Sequence, residues 1–384
     1  MRKQLELYVH IPFCEKKCLY CDFLSFSAEE DLHKVYVDKL IEEIRVQAKN
    51  YSDYQISSIF IGGGTPSVIK AVYISNIMSA IYEAFIVESL AEVTIECNPG
   101  TVDIDKLLVY KQSGINRISV GLQSTVDKEL QHLGRVHTYA DFLYSYEKIR
   151  ESGYKNVNID LMSALPWQTL DSWKSTLKKV VMLKPEHISA YSLIIEEGTE
   201  FSKIYGSPEG RKFLPTEEVE RSMYHSTINI LKNYGYERYE ISNYSKPGYE
   251  SKHNIGYWTG EEYLGFGIGA SSYVYGRRFN VERDIKKYLA IDMKRDIMPL
   301  YQNIHELSTK EKMEEFMFLG LRLIRGVSRH EFNEKFGVDM FEVYDRQIKR
   351  NIMLKLMEYN SPYLRLTDKG LDLSNMVMSD FLLD

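Results

Sequence analysis

The chain has 384 residues, 44% of them hydrophobic and 27% charged, with a formal net charge of −6. This balance excludes a disordered, collagen-like or coiled-coil chain, and it lacks the basic excess expected of a nucleic-acid binder. No apolar run approaches the roughly 20 residues of a membrane helix, and no signal-peptide-like stretch opens the chain, so a cytoplasmic location is expected.

Taken in chain order, residues 1–235 repeat one theme. Short β-branched runs at 5–11, 58–61, 92–96, 117–121, 156–161 and 187–193 each end in a polar or glycine-rich turn. Amphipathic stretches follow them near 29–49, 68–86, 103–113, 138–152, 170–183 and 216–234. In the first, Leu32, Tyr36, Leu40 and Ile44 recur every four residues and mark one apolar face. Strands alternating with helices at this spacing predict βαβ units and a parallel sheet. Six such units fit an α/β fold, a partial (β/α)6 TIM-like barrel. In such folds the working groups sit at the C-terminal strand ends.

Residues 236–305 are rich in tyrosine and glycine in their first part, show little helical periodicity there, and read as a connecting section of short strands and loops. Helical pattern returns in 306–384, as KMEEFMFLGLRLIRG and FEVYDRQIKRNIMLKLM, and LRLTDKGLDL then reads as strand and turn. This predicts a small helical, winged-helix-like domain. Its charge favours packing or partner contact over DNA.

The densest chemistry lies where the first strand ends. Cys14, Cys18 and Cys21 fall within one loop, and Cys97 stands alone. Clustered thiolates suit an iron–sulfur centre or zinc. A structural zinc site wants four ligands, so His10 or distant Cys97 would have to complete it. A [4Fe–4S] cluster on three thiolates leaves one iron open. Cys97 reads as a small buried hydrophobe. The later strands end in Gly62-Gly63-Gly64-Thr65-Pro66, Glu96-Cys97-Asn98-Pro99-Gly100, Gly121-Leu122-Gln123-Ser124 and Asp160. The glycine loop is not a phosphate-binding loop, because no Gly-Lys-Ser/Thr follows. Read singly, it could be only a tight turn, and Glu96, Arg135 and Asp160 could be caps or structural ion pairs. The Gly265–Ala270 stretch lacks dinucleotide spacing and is rejected.

CxxxCxxC after a first strand, within LYVHIPFCEKKCLYCDF, resembles the radical S-adenosylmethionine superfamily. The resemblance is to its branch of oxygen-independent coproporphyrinogen III dehydrogenases and their relatives, the HemW haem chaperones. It runs on through GGGTP, IECNPG, GLQS, LGRVHT and NIDLMSALPWQT into the C-terminal region. It implies a [4Fe–4S] cluster on Cys14, Cys18 and Cys21, with S-adenosylmethionine on the open iron. Tyr8 and Tyr20 match positions that touch this cofactor, and Gly63, Gly64 and Thr65 match the loop that receives its amino group. Glu96 matches a carboxylate near it, while Gln123, Arg135 and Asp160 match contacts to a second such molecule in the dehydrogenase.

A second motif is His253-Asn254-Ile255-Gly256-Tyr257-Trp258. Alone it reads as a satisfied histidine in a polar, glycine-flanked loop. By resemblance it matches the HNxxYW motif attributed to haem binding in HemW proteins, nominating His253, Asn254, Tyr257 and Trp258. Two features separate the branches. The dehydrogenase carries a further cysteine where this chain has Phe23, and a long N-terminal extension that is not seen before Tyr8. The resemblance therefore implies a haem chaperone that delivers haem to acceptors, with respiratory-chain proteins expected. The other readings are a coproporphyrinogen III dehydrogenase or a zinc-stabilised interaction module. A homodimer and a peripheral membrane contact stay open, and no cationic amphipathic segment argues for the latter.

Overall fold

The computed structural model describes residues 2–383. Its first half is a run of parallel strands joined by helices. Strand β1 (Lys3–Ile11) leads through the cysteine loop to α1 (Glu30–Gln47); β2 (Tyr54–Gly63) leads to α2 (Ala71–Ala84), and β3 (Val87–Cys97) to α3 (Ile104–Gln112). Next come β4 (Arg117–Gln123) with α4 (Asp127–His132) and α5 (Tyr139–Glu151), then β5 (Val157–Ser163) with α6 (Leu170–Met182). Strand β6 (His187–Ser192) precedes α7 (Glu200–Tyr205), α8 (Pro208–Arg211) and α9 (Glu217–Asn233).

The expected elements are thus present within a few residues. Several helices start where the sequence supplies a cap, such as Asp103, Thr138, Thr169 and Thr216. Thr138 accepts from the backbone of Asp141 while Asp141 bonds back, a reciprocal box that opens α5. Strands β1 to β6 pair in sequence order, all parallel. Alternation divides β1 cleanly: Leu5, Leu7, Val9 and Ile11 enter the main apolar core, while Glu6, Tyr8 and His10 take the other, inner face.

Residues 236–305 hold the expected short strands, together with two helices. They supply β7 (Glu237–Arg238), β8 (Asn243–Ser245), α10 (Lys252–Thr259), β9 (Tyr263–Phe266), β10 (Ser271–Val274), β11 (Arg277–Val281), α11 (Ile285–Ala290) and β12 (Tyr301–Glu306). Strand β9 pairs parallel with β1 and β8 antiparallel with β6, so the six central strands gain neighbours at both edges of one 12-stranded sheet. No periodicity within one segment reports such non-local pairing.

The C-terminal part has its own core around Phe332, Tyr344, Ile348 and Leu364. It contains α12 (Thr309–Gly320), β13 (Val327–Ser328), α13 (Arg329–Phe336), α14 (Met340–Val343), α15 (Asp345–Met353), β14 (Met357–Asn360), β15 (Tyr363–Leu366), α16 (Asp368–Asp372) and α17 (Ser374–Ser379). The three strands pair antiparallel beside the helices, giving the expected winged-helix shape. Here the expected turn after LRL is instead α16, capped by Thr367. No helix among the described residues is long and apolar enough to cross a membrane.

Candidate cofactor site at the C-terminal rim

The cysteine loop is closed at its base by backbone. Cys14 N–H donates to Phe26 O at 3.0 Å and Phe26 N–H to Pro12 O at 2.9 Å. Its far side is held by Leu19 N–H on Leu133 O (3.0 Å) and by Leu19 O, which accepts from Phe201 N–H (2.9 Å). The loop therefore presents Cys14, Cys18 and Cys21 half-buried and free of disulfides. Burial raises the Cys14 and Cys21 thiols above their ordinary range. Cys97 lies in the core, pushed up to about 12 by burial, and behaves as the expected small hydrophobe.

Each loop thiol has one polar side chain beside it, two of them from outside the loop. Thr65 Oγ1 donates to Cys14 Sγ at 3.6 Å, Arg135 Nη1 to Cys18 Sγ at 3.5 Å, and Ser25 Oγ lies 4.0 Å from Cys21 Sγ. Among the described residues no group of three or more His, Cys, Asp or Glu gathers on one metal-ion position. A cubane takes each thiolate on a different iron, so it requires separated thiols. The donor set suits an iron–sulfur cluster better than one zinc ion.

The glycine loop lies beside it. Gly63 has φ +111°, and a Cβ at Gly64 would stand 2.8 Å from Phe13 O, so only glycine lets the two loops approach. Gly63 N–H donates to Glu96 Oε2 at 3.1 Å, and burial lifts the Glu96 carboxyl to about 8. Tyr8 and His10 sit two apart on the inner face. His10 Nε2 lies 2.8 Å from Leu24 O, which can only accept, so Nδ1 accepts from the Tyr8 hydroxyl at 3.0 Å.

Arg135 is the centre of the rim. Its Nη2 donates to Asn98 Oδ1 (2.9 Å) and to Gly121 O, while its buried Nε has no partner. An unpartnered guanidinium N–H beside the thiols suits a carboxylate ligand. The bare α-carbon of Gly121 makes room for Arg135, Asn98 and Gln123 together. Gln123 is nearly buried at φ +69°, a costly conformation for glutamine that the packed rim imposes. Asp160 accepts from Ser119 Oγ (2.9 Å) and Asn158 Nδ2 (2.7 Å), and burial raises its carboxyl. Tyr20 packs its ring 6.2 Å from Phe201. The expected residues thus meet at one rim. The sequence offers His10 only as a possible zinc ligand and Asn98 only as part of a strand-end turn; the structure gives His10 a bond to Tyr8 and sets Asn98 between Arg135 and Thr65.

The HNxxYW residues lie elsewhere, and the expectation of a polar loop is corrected. They form α10, which Ser251 caps and Gly260 ends in the left-handed conformation. The helix plugs the opposite, N-terminal mouth of the inner face. The His253 ring is 2% exposed, with Nδ1 2.8 Å from Ser58 Oγ and 3.6 Å from Glu6 Oε2, and it stacks on Phe60 at 5.2 Å. Burial lowers this imidazole to about 3 and raises Glu6 to about 9, so both are neutral at pH 7. Nε2 of His253 is buried without a partner. Asn254 N–H donates to the Ser251 cap, and Tyr257 meets His253 edge-on at 4.9 Å. Trp258 carries the Arg322 guanidinium over its ring at 4.3 Å, joining α10 to the C-terminal part. As folded, His253 offers no nitrogen to a group the size of haem.

Comparison with known proteins places these features in a family. The Radical SAM superfamily model matches residues 8–180 and the HemN C-terminal domain model residues 307–373. Curated proteins named heme chaperone HemW match end to end. Those of Lactococcus lactis and Bacillus subtilis are 39% and 36% identical, covering 100% and 98% of this chain and 99% and 98% of theirs. Among solved structures, coproporphyrinogen III oxidase (HemN) from Escherichia coli, described as a Radical SAM enzyme, superposes with a TM-score of 0.84 at 23% identity. The match covers 99% of this chain and 90% of that one, a likeness of fold.

Proposed function

The chain belongs to the HemW family of the radical S-adenosylmethionine superfamily, and on that premise we propose that it is a haem chaperone that holds a [4Fe–4S] cluster, S-adenosylmethionine and haem and passes haem to acceptor proteins. The observation that carries this reading is the end-to-end likeness to proteins of that name, joined to a three-thiol loop whose donors fit such a cluster. Cys14, Cys18 and Cys21 would ligate three irons. Tyr8, Tyr20, Gly63, Gly64, Thr65, Glu96, Gln123, Arg135 and Asp160 would surround S-adenosylmethionine, with the free Arg135 Nε–H available to its carboxylate. When bound, the cluster supplies an electron to the sulfonium. The chain's own part is to fix the Tyr8 hydroxyl through His10, hold Glu96 protonated near neutrality, and keep Arg135 charged within hydrogen-bond reach of Cys18.

His253, Asn254, Tyr257 and Trp258 are the residues nominated for haem. Ligation through His253 Nε2 requires α10 to lift from the inner face, exposing a nitrogen now held without a partner. Haem acceptors of a respiratory chain, a cytoplasmic location, a homodimer and contact with a membrane surface belong to the same reading. The dehydrogenase reading is weakened by Phe23, 63% exposed where that branch would carry a further thiol.

Anaerobic haem titration tests the proposal. A stoichiometric Soret-band change in the wild-type chain, with transfer to an apo-haemoprotein, is expected. Absence of haem binding together with turnover of coproporphyrinogen III would transfer the chain to the dehydrogenase branch. Haem binding that survives unchanged in His253→Ala would remove the HNxxYW assignment while leaving the chaperone.

A further inference from the structure

We propose that Asn98 is a positioning residue that couples the hydrogen-bond donors of two cluster thiolates, and so helps to set the reduction potential of the cluster. This rests on the cluster reading above. Asn98 follows β3, where its backbone is pinned by Ser67 Oγ accepting from Asn98 N–H (3.2 Å) and by Thr101 N–H on Asn98 O (3.2 Å). Its side chain stands between Arg135 and Thr65.

Donor chemistry fixes every direction in the chain of bonds. A guanidinium can only donate, so the atom of Asn98 that faces Arg135 Nη2 at 2.9 Å is the carbonyl oxygen. The amide nitrogen therefore faces Thr65 Oγ1 at 2.9 Å and donates to it. With its oxygen occupied as an acceptor, the Thr65 hydroxyl turns its proton to Cys14 Sγ at 3.6 Å. The other end of the network is Arg135, whose Nη1 donates to Cys18 Sγ at 3.5 Å. One amide thus orients a neutral donor on Cys14 and anchors a cationic donor on Cys18.

Hydrogen bonds to ligand sulfur stabilise the reduced, more negative cluster and raise its potential. A donor aimed by a partner contributes more than one free to rotate. Removing the Thr65 hydroxyl should then matter only while Asn98 aims it.

The test is a redox titration of the reconstituted full chain with dithionite, followed by electron paramagnetic resonance, in wild type, Thr65→Val, Asn98→Ala and the double variant. Iron and sulfide content is measured in each. Thr65→Val in the wild-type background should cut the reduced fraction at a fixed solution potential severalfold. In the Asn98→Ala background the same step should change it little. Should Asn98→Ala fail to fold, Asn98→Asp gives the same comparison, because a carboxylate cannot donate to Thr65 and draws the hydroxyl proton from Cys14. Equal Thr65→Val effects in both backgrounds, or none in either, overturn the proposal. A wild-type chain that assembles no cluster overturns the reading beneath it as well.

Discussion

The two mouths of the inner face are built from similar residue types and do opposite things with them. At the C-terminal rim, thiols and glycines from strand ends meet one arginine from the α4–α5 connection, the thiols half-buried and the buried Arg135 Nε–H without a partner. At the N-terminal mouth, Glu6, Ser58, Glu92 and His253 are buried; Ser58 and Glu92 bond to α10, while Glu6 Oε2 and His253 Nε2 are sealed in without a partner. The rim leaves its ligands partly accessible and braces them from behind. The floor spends its polar groups on holding a helix in place. The motif nominated for haem by resemblance is thus in the more closed of the two regions.

That contrast can be broken most sharply at the rim. Replacing Cys14, Cys18 or Cys21 by Ala should abolish cluster assembly, read as iron and sulfide content after reconstitution. It should barely move thermal stability, because the thiols are half-exposed. A large loss of stability would mean that the loop is a folding element. At the floor the order should invert. His253→Ala removes a buried ring packed on Phe60 and Tyr257 and strands the Ser58 hydroxyl, a loss of about 3 kcal/mol by denaturant unfolding. Gly256→Ala would drive a methyl group into the Glu6 carboxyl, at a cost of about 1–3 kcal/mol. Both floor variants should still assemble the cluster. Loss of the cluster in either would join the two mouths into one site.

The six central βα units were legible because each strand is a compact apolar run ending in its own chemical turn, and each helix carries a four-residue apolar rhythm. Many of the rim residues stand out because they lie in those turns, but their roles, and Tyr8 and Arg135 altogether, come from the resemblance. What escaped depends on contacts distant in sequence. Glycine and aromatics at 256–258 masked α10, whose stability comes from Ser58, Phe60 and Glu6 rather than from its own pattern. The outer strands β8 and β9 exist because β6 and β1 offer free edges. Asn98 acquires meaning only once Arg135 and Thr65 are beside it.

Smaller effects sharpen the comparison further. Glu6 is raised from its unfolded value to about 9, so its proton stabilises the fold at low pH and that contribution fades as pH rises toward 9. His253 is lowered to about 3, so its contribution is intact above the unfolded value of 6.5 and is lost as pH falls toward 3. Glu6→Gln should therefore gain stability relative to wild type between about pH 6 and pH 8.5, by up to about 1.4 kcal/mol per pH unit. A flat difference across that range would place the Glu6 carboxylate in water. Least of all, Phe23→Ser should change stability by less than about 0.5 kcal/mol, because the ring is exposed.

Anaerobic reconstitution of the full chain, with metal and sulfide analysis and electron paramagnetic resonance before and after S-adenosylmethionine is added, is the most direct test of the rim. About four irons and four sulfides per chain are predicted, as in one [4Fe–4S] cluster. The reduced signal should change when S-adenosylmethionine occupies the open iron, and both should vanish in Cys18→Ala. Uptake of a single zinc ion without sulfide, or a cluster whose signal ignores S-adenosylmethionine, would contradict it.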